Sequence, residues 1–194
     1  FPYLTGTHDL EEEDSELKAG IDMVWRPNSN TQFTGTINPD FGQVESDDLV
    51  VNFSAFETFF SEKRPFFTEN NALFNSRVPL GDRLVHTRRI GAAPDLGNDE
   101  VSDITAGAKL SHYGEKFDLG VFAVVEDDTG ESQGRDYLST RIQSRAGNLV
   151  FGHALTYADR PTLDRQAMVN SLDWDWQAGG ARFRGQCFYS DVQQ

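Results

Sequence analysis

The chain has 194 residues, with 17 Lys and Arg against 31 Asp and Glu, a formal charge of −14 and a mean hydropathy of −0.52. That length suits one domain with a sizeable core, and the acid excess excludes a nucleic-acid partner, which needs clustered cations to meet phosphates. No apolar run approaches the ~18 residues of a transmembrane helix, and Cys187 stands alone, so no internal disulfide and no cysteine-ligated zinc or iron–sulfur centre can form.

Low hydropathy leaves room for a membrane β-barrel, in which only alternate residues meet lipid. Phe1 is not an initiator Met, and residues 1–16 lack the basic start and apolar stretch of a signal peptide, so any export signal is expected upstream. Residues 9–16, DLEEEDSE, carry six acids and no base and read as a solvated loop. From Leu17 the pattern alternates. Leu17, Ala19, Ile21, Met23 and Trp25 share one face, and Lys18, Gly20, Asp22, Val24 and Arg26 the other. Turn chemistry at Pro27 to Asn30 leads into Phe33, Gly35 and Ile37, which makes residues 17–38 a first hairpin.

Residues 39–98 read as an ordered insert of unusual composition. Between Asn38 and Phe74 it gathers Phe41, Phe53, Phe56, Phe59, Phe60, Phe66, Phe67 and Phe74 among many charges, so the rings need a core and the charges need partners. Ser54 and Glu57 form a capping box, which predicts a short helix from Ala55 that Pro65 limits. Pro79, Gly81, Pro94 and Gly97 punctuate the second half, where Arg83 to Ile90 suggests a short strand carrying His86. From residue 101 to residue 190 three further hairpins follow. They run Ile104 to Val125 across Tyr113–Lys116, Tyr137 to Tyr157 across Ala146–Gly147, and Gln166 to Ser190 across Gln177–Gly180. Short turns alternate with longer polar loops, Glu126 to Arg135 and Ala158 to Asp164, as at the two ends of a bacterial barrel.

The segments NPDFGQVESD from Asn38, VVNFSAFETFFSEKRPFF from Val50 and RRIG at Arg88 to Gly91 resemble a family of uncharacterised bacterial outer-membrane β-barrel proteins. In that family the barrel usually follows a domain like the family-9 carbohydrate-binding modules, and its members are several times longer than this chain. The resemblance implies an internal fragment in the outer membrane of a Gram-negative bacterium, with the lipid bilayer, a saccharide and the upstream carbohydrate-binding-like domain as partners. Antiparallel sandwiches give the same alternation. The rhythm of turns, aromatic residues near strand ends (Trp25, Tyr137, Tyr157, Trp174, Trp176, Tyr189) and the resemblance favour the barrel. The expected fold is all-β, an antiparallel up-and-down β-barrel of the outer-membrane type, with about eight strands, incomplete in this chain, and one helix-containing insert.

Candidate binding residues lie in the insert: Asp40, Glu45, Asp47, Glu57, Phe59, Glu62, Lys63, Arg64, Phe66, Arg88 and Arg89. Their acids are expected to pair with the insert's own cations and pin it to polar wall residues such as Lys18, Asp22 and Arg26. Because irregular backbone cannot face lipid, the insert is expected to plug the barrel. No catalytic residue and no cofactor is expected, although Asp40, Glu45, Asp47 and Asp48 in the first half of the insert and Glu57, Glu62 and Glu69 in the second form a candidate site for a divalent cation such as calcium. His8, His86, His112 and His153 lack metal-ligand spacing. No GxSxG, GxGxxG or GxxxxGK[ST] motif is present. The function classes left open are a barrel that binds or passes a solute and a glycan-active hydrolase that the barrel only anchors, working through paired carboxylates.

Overall fold

The computed structural model describes residues 1–8, 15–40, 62–74, 84–97 and 101–194. These residues form one antiparallel sheet whose strands follow each other in chain order: β1 (Pro2–His8), β2 (Ser15–Asn28), β3 (Thr31–Ile37), β4 (Ile104–Tyr113), β5 (Phe117–Glu126), β6 (Asp136–Ala146), β7 (Leu149–Arg160), β8 (Arg165–Ala178) and β9 (Ala181–Gln193). The hairpins expected from alternation are all present, with longer strands. The added strand is β1, which pairs with β2 from Pro2↔Ile21 to His8↔Ser15. Among the described residues the sheet is not closed, and β1 and β9 are its two edges.

The register sorts every strand residue onto one of two faces. One row runs Val24, Thr34, Lys109, Phe122, Ser139, Thr156, Val169, Ser190. Its neighbour on the opposite face runs Trp25, Phe33, Leu110, Val121, Thr140, Leu155, Asn170, Tyr189. The first face, called the covered face below, is the polar one, yet it holds the buried residues Thr34, Thr36, Lys109, Ser111, Asp118, Ser139, Arg141 and Ser171. The second, the bare face, is apolar and open: Leu17, Ile21, Met23, Trp25, Ile37, Phe117, Phe151, Trp174, Trp176 and Phe183 are all exposed. This inverts the arrangement of a water-soluble sheet, whose apolar side is the buried one.

The insert links β3 to β4 and lies on the covered face. A single helical turn, α1 (Pro65–Thr68), carries Phe66 and Phe67, and a 3-10 turn at Asn71–Leu73 leads to Phe74. Pro65 starts this turn, as a proline at the first helical position does. The helix expected from Ala55 lies outside the described residues. Phe66, Phe67, Leu73, Phe74 and Ile90 form one core with Ile104, Phe122 and Val124 of the sheet. The rings meet edge to face, Phe66 on Phe67 at 5.0 Å and Phe74 on Phe122 at 5.0 Å. Two glycines make room. A Cβ on Gly107 would sit 2.9 Å from the Phe66 ring and one on Gly120 2.8 Å from the Phe74 ring.

The strand suggested for Arg83 to Ile90 is corrected. Thr87–Arg89 is a 3-10 turn, because the carbonyls that a ladder would use are taken by Arg64, which donates to Thr87 O and Ile90 O at 2.7 Å each.

Candidate functional site

Glu62 and Arg64 lie just before α1 and form a latch. The Arg64 guanidinium grips the Glu62 carboxylate through Nε at 2.8 Å and Nη2 at 2.7 Å, and its remaining donors reach the two carbonyls of the 87–90 turn. Thr87 Oγ1 donates to Glu62 Oε2 at 2.7 Å, and the guanidinium lies 4.3 Å above the Phe67 ring. One arginine thus ties the 62–74 and 84–97 parts of the insert together while sharing the aromatic core. Burial pushes the Glu62 carboxyl up, but the hydrogen bonds and charge of Arg64, helped by Thr87, outweigh it and hold Glu62 below the usual carboxylate range.

The tie to the wall is made elsewhere. Lys109, buried on β4, donates from Nζ to the carbonyl oxygens of Phe66 and, at 2.6 Å, Glu69, with the ammonium beside the Phe66 ring. Burial of such a charge is tolerable only with partners of this kind. Arg26 of β2 pairs with Glu69 at 3.0 Å, while Lys18 pairs with Asp103 at 2.8 Å and Asp22 accepts from Thr36 at 2.6 Å. Of the wall residues expected to meet the insert, Arg26 does so through Glu69, and Asp22 shares a cavity lining with it. Glu69 is one of the acids that bracket the second half of the insert, whereas the only sequence signal for Lys109 is a lysine on the polar side of an alternating strand.

At the end of the sheet with the longer loops, Arg135 is clamped to Glu126 by two hydrogen bonds and donates to Ala92 O and Ala93 O at 2.9 and 3.1 Å. Glu126 in turn accepts from Gly91 N–H at 2.6 Å. Arg160 grips Asp95, and that hydrogen bond, outweighing burial, holds the Asp95 carboxyl below its ordinary range. The 90–97 segment is thereby fixed over β5, β6 and β7.

Between the insert and β1–β3 lies a cavity of about 1030 Å³. Asp40, Glu62, Lys63 and Phe66, four of the expected binding residues, line it together with Asp22 and Glu69. Tyr3 positions Asp40: its Oη donates to Asn38 O at 2.6 Å and accepts from Asp40 N–H at 2.7 Å. Arg64 stands behind the cavity in its latch, and Arg88 and Arg89 sit in the 87–89 turn outside this lining. Glu45, Asp47, Glu57 and Phe59 lie outside the described residues. The lining offers carboxylate acceptors, an ammonium donor and aromatic rings, a set suited to hydrogen-bonding and stacking on a polyhydroxylated molecule. Among the described residues, no group of three or more His, Cys, Asp and Glu side chains is placed to hold a metal ion.

A family model described as Domain of unknown function (DUF5916) matches residues 1–120. The chain belongs to that family. No curated protein and no solved structure matches it. The DUF5916 match spans β1 to β4, the insert and the start of β5, so it includes the latch, the Lys109 tie and both docking glycines. Arg135 and Arg160 lie beyond it. The expectation of an uncharacterised family therefore holds.

Proposed function

We propose that this sheet is part of the wall of an outer-membrane β-barrel, that the insert is a plug on its lumen side, and that the protein binds or passes a solute, with a saccharide as the solute class. The inverted distribution of polarity carries the reading. An exposed apolar face flanking a buried, charge-paired polar face is costly in water and suits lipid outside and a filled lumen inside. The strands β4 to β9 are as long as a tilted crossing of the hydrocarbon layer needs. Aromatic side chains Phe117, Phe151, Trp174, Trp176 and Phe183 cluster on the bare face toward the short turns, as in an interfacial girdle. No helix of the described residues is long and apolar enough to cross a membrane.

The saccharide class rests on the cavity beside the latch. The hydrolase reading fares less well there, because a general acid must hold a proton at working pH, and Glu62 is ion-paired to Arg64.

The test uses the full-length protein folding into phospholipid vesicles. Val121→Arg and Leu155→Arg, central on the bare face, are each expected to cost about 2–4 kcal/mol of membrane-inserted stability, and the parent vesicles should take up neutral monosaccharides. Parent-like folding of both variants in detergent-free buffer would refute the membrane reading. Intact insertion without saccharide uptake or binding would remove only the solute class.

A further inference from the structure

We infer that the structure contains a second binding site, for a small uncharged ring-bearing alcohol or phenol, between the 84–90 segment and strands β5 to β8. The inference rests on how the insert packs on the sheet and does not depend on the membrane reading. The register accounts for the space. Tyr137, Ala158 and Ala167 are cross-strand neighbours, and so are Ser139, Thr156 and Val169, so two adjacent rows of the covered face carry mostly small side chains.

Elsewhere on this face the insert fills such hollows, with Phe66 at Gly107 and Phe74 at Gly120. Here it contributes Leu84, Val85, His86, Arg89 and Ile90 but no Phe among the described residues, and a cavity of about 470 Å³ remains. That volume lies in the range of small-molecule pockets.

The lining specifies the guest. Ala158, Ala167 and Val169 give an apolar floor, and Phe122 and Tyr137 give aromatic walls suited to a ring. Ser139 lines the same cavity at only 3% exposure, and no described residue hydrogen-bonds its hydroxyl. A hydroxyl in this position can exchange a hydrogen bond with an oxygen from outside. The nearby charges are already committed, Arg135 to Glu126 and Arg160 to Asp95, and Arg89 on the lining is exposed to water. His86 and Arg89 complete the lining on the insert side, and the apolar floor with the Ser139 hydroxyl suits an uncharged guest that carries a hydroxyl.

Calorimetric titration with β-naphthol of the full-length protein, in detergent-free buffer or in lipid nanodiscs according to where it folds, tests this, alongside Ala167→Phe and Ala158→Leu, which fill the floor from different strands. In discs, partitioning into lipid is common to all samples. Saturable binding by the parent is expected, weakened about ten-fold or more in each filling variant, with unchanged circular dichroism. If one filling variant fails to fold, the other is read together with Ser139→Ala, expected to weaken binding several-fold through loss of the hydroxyl contact. Uptake by the parent no greater than by protein-free buffer or discs, or parental affinity in a folded filling variant, overturns the inference.

Discussion

Removing the rings of Phe66 and Phe74 together should detach the insert while leaving the sheet paired. Both rings are almost fully buried, at 6% and 5% exposure, and each occupies the hollow above a glycine. Truncation of a buried Phe to Ala costs about 3–5 kcal/mol. The two sites are linked through Phe67 and Phe122, so the double variant should lose somewhat less than the sum, on the order of 5–8 kcal/mol. A loss of that size is comparable to the whole stability of many domains, and it falls on the contact between insert and wall. The ladders between strands involve neither ring. Limited trypsin digestion of the full-length protein in vesicles reads the outcome, since a detached insert further exposes the half-buried Lys63 and Arg88. Cleavage in the insert should accelerate strongly in Phe66→Ala/Phe74→Ala, with conductance rising in parallel. Parent-like cleavage and conductance in a normally assembled double variant would show that these rings do not hold the insert, and the plug would have to be abandoned.

Gly120→Val should loosen the same contact from the wall side, because the added Cβ would lie 2.8 and 3.0 Å from Phe74 ring atoms and 3.3 Å from Leu73 Cβ. Adding Phe74→Ala should relieve part of that defect, and protease sensitivity of the pair equal to the sum of the single changes would argue against a direct clash. The latch gives a pH dependence. Glu62 has a folded pKa below its ordinary 4.5, so its contribution is complete above that value and is lost as pH falls through the folded pKa. Insert protection should therefore decline under acid conditions in the parent, and Glu62→Gln should flatten that part of the profile while lowering protection at neutral pH; an identical profile in the variant would remove Glu62 from the latch.

Strands β2 to β9 were legible because each alternates over enough residues to reveal its two faces without knowledge of its neighbours. In β1 the same alternation is diluted by Pro2 and Gly6 in a seven-residue strand, and its place depends on pairing with β2. The Leu84–Val85 pair looked strand-like for a local reason that a distant residue cancelled, since Arg64 is more than twenty positions away when it takes Thr87 O and Ile90 O. The candidate site was legible in composition and not in connectivity. The mixture of rings and charges marked the insert, and Glu62, Lys63, Phe66 and Asp40 do share a cavity. The sequence had no local sign that Arg64 would turn back on the insert or that Lys109, some forty residues on, would supply the anchor, because both choices are made by the path of the chain in three dimensions.

Strand direction adds a constraint on any closed form. Each strand reverses the one before it, so the first and the ninth point the same way. Joining β1 directly to β9 would create a single parallel seam in an otherwise alternating ring. A ring that alternates all the way round must place an odd number of additional strands between those two edges, giving an even total. Pairing of β1 with β9 from a second copy meets the same parity, whereas pairing like edges of two copies would point their short turns in opposite directions across a bilayer.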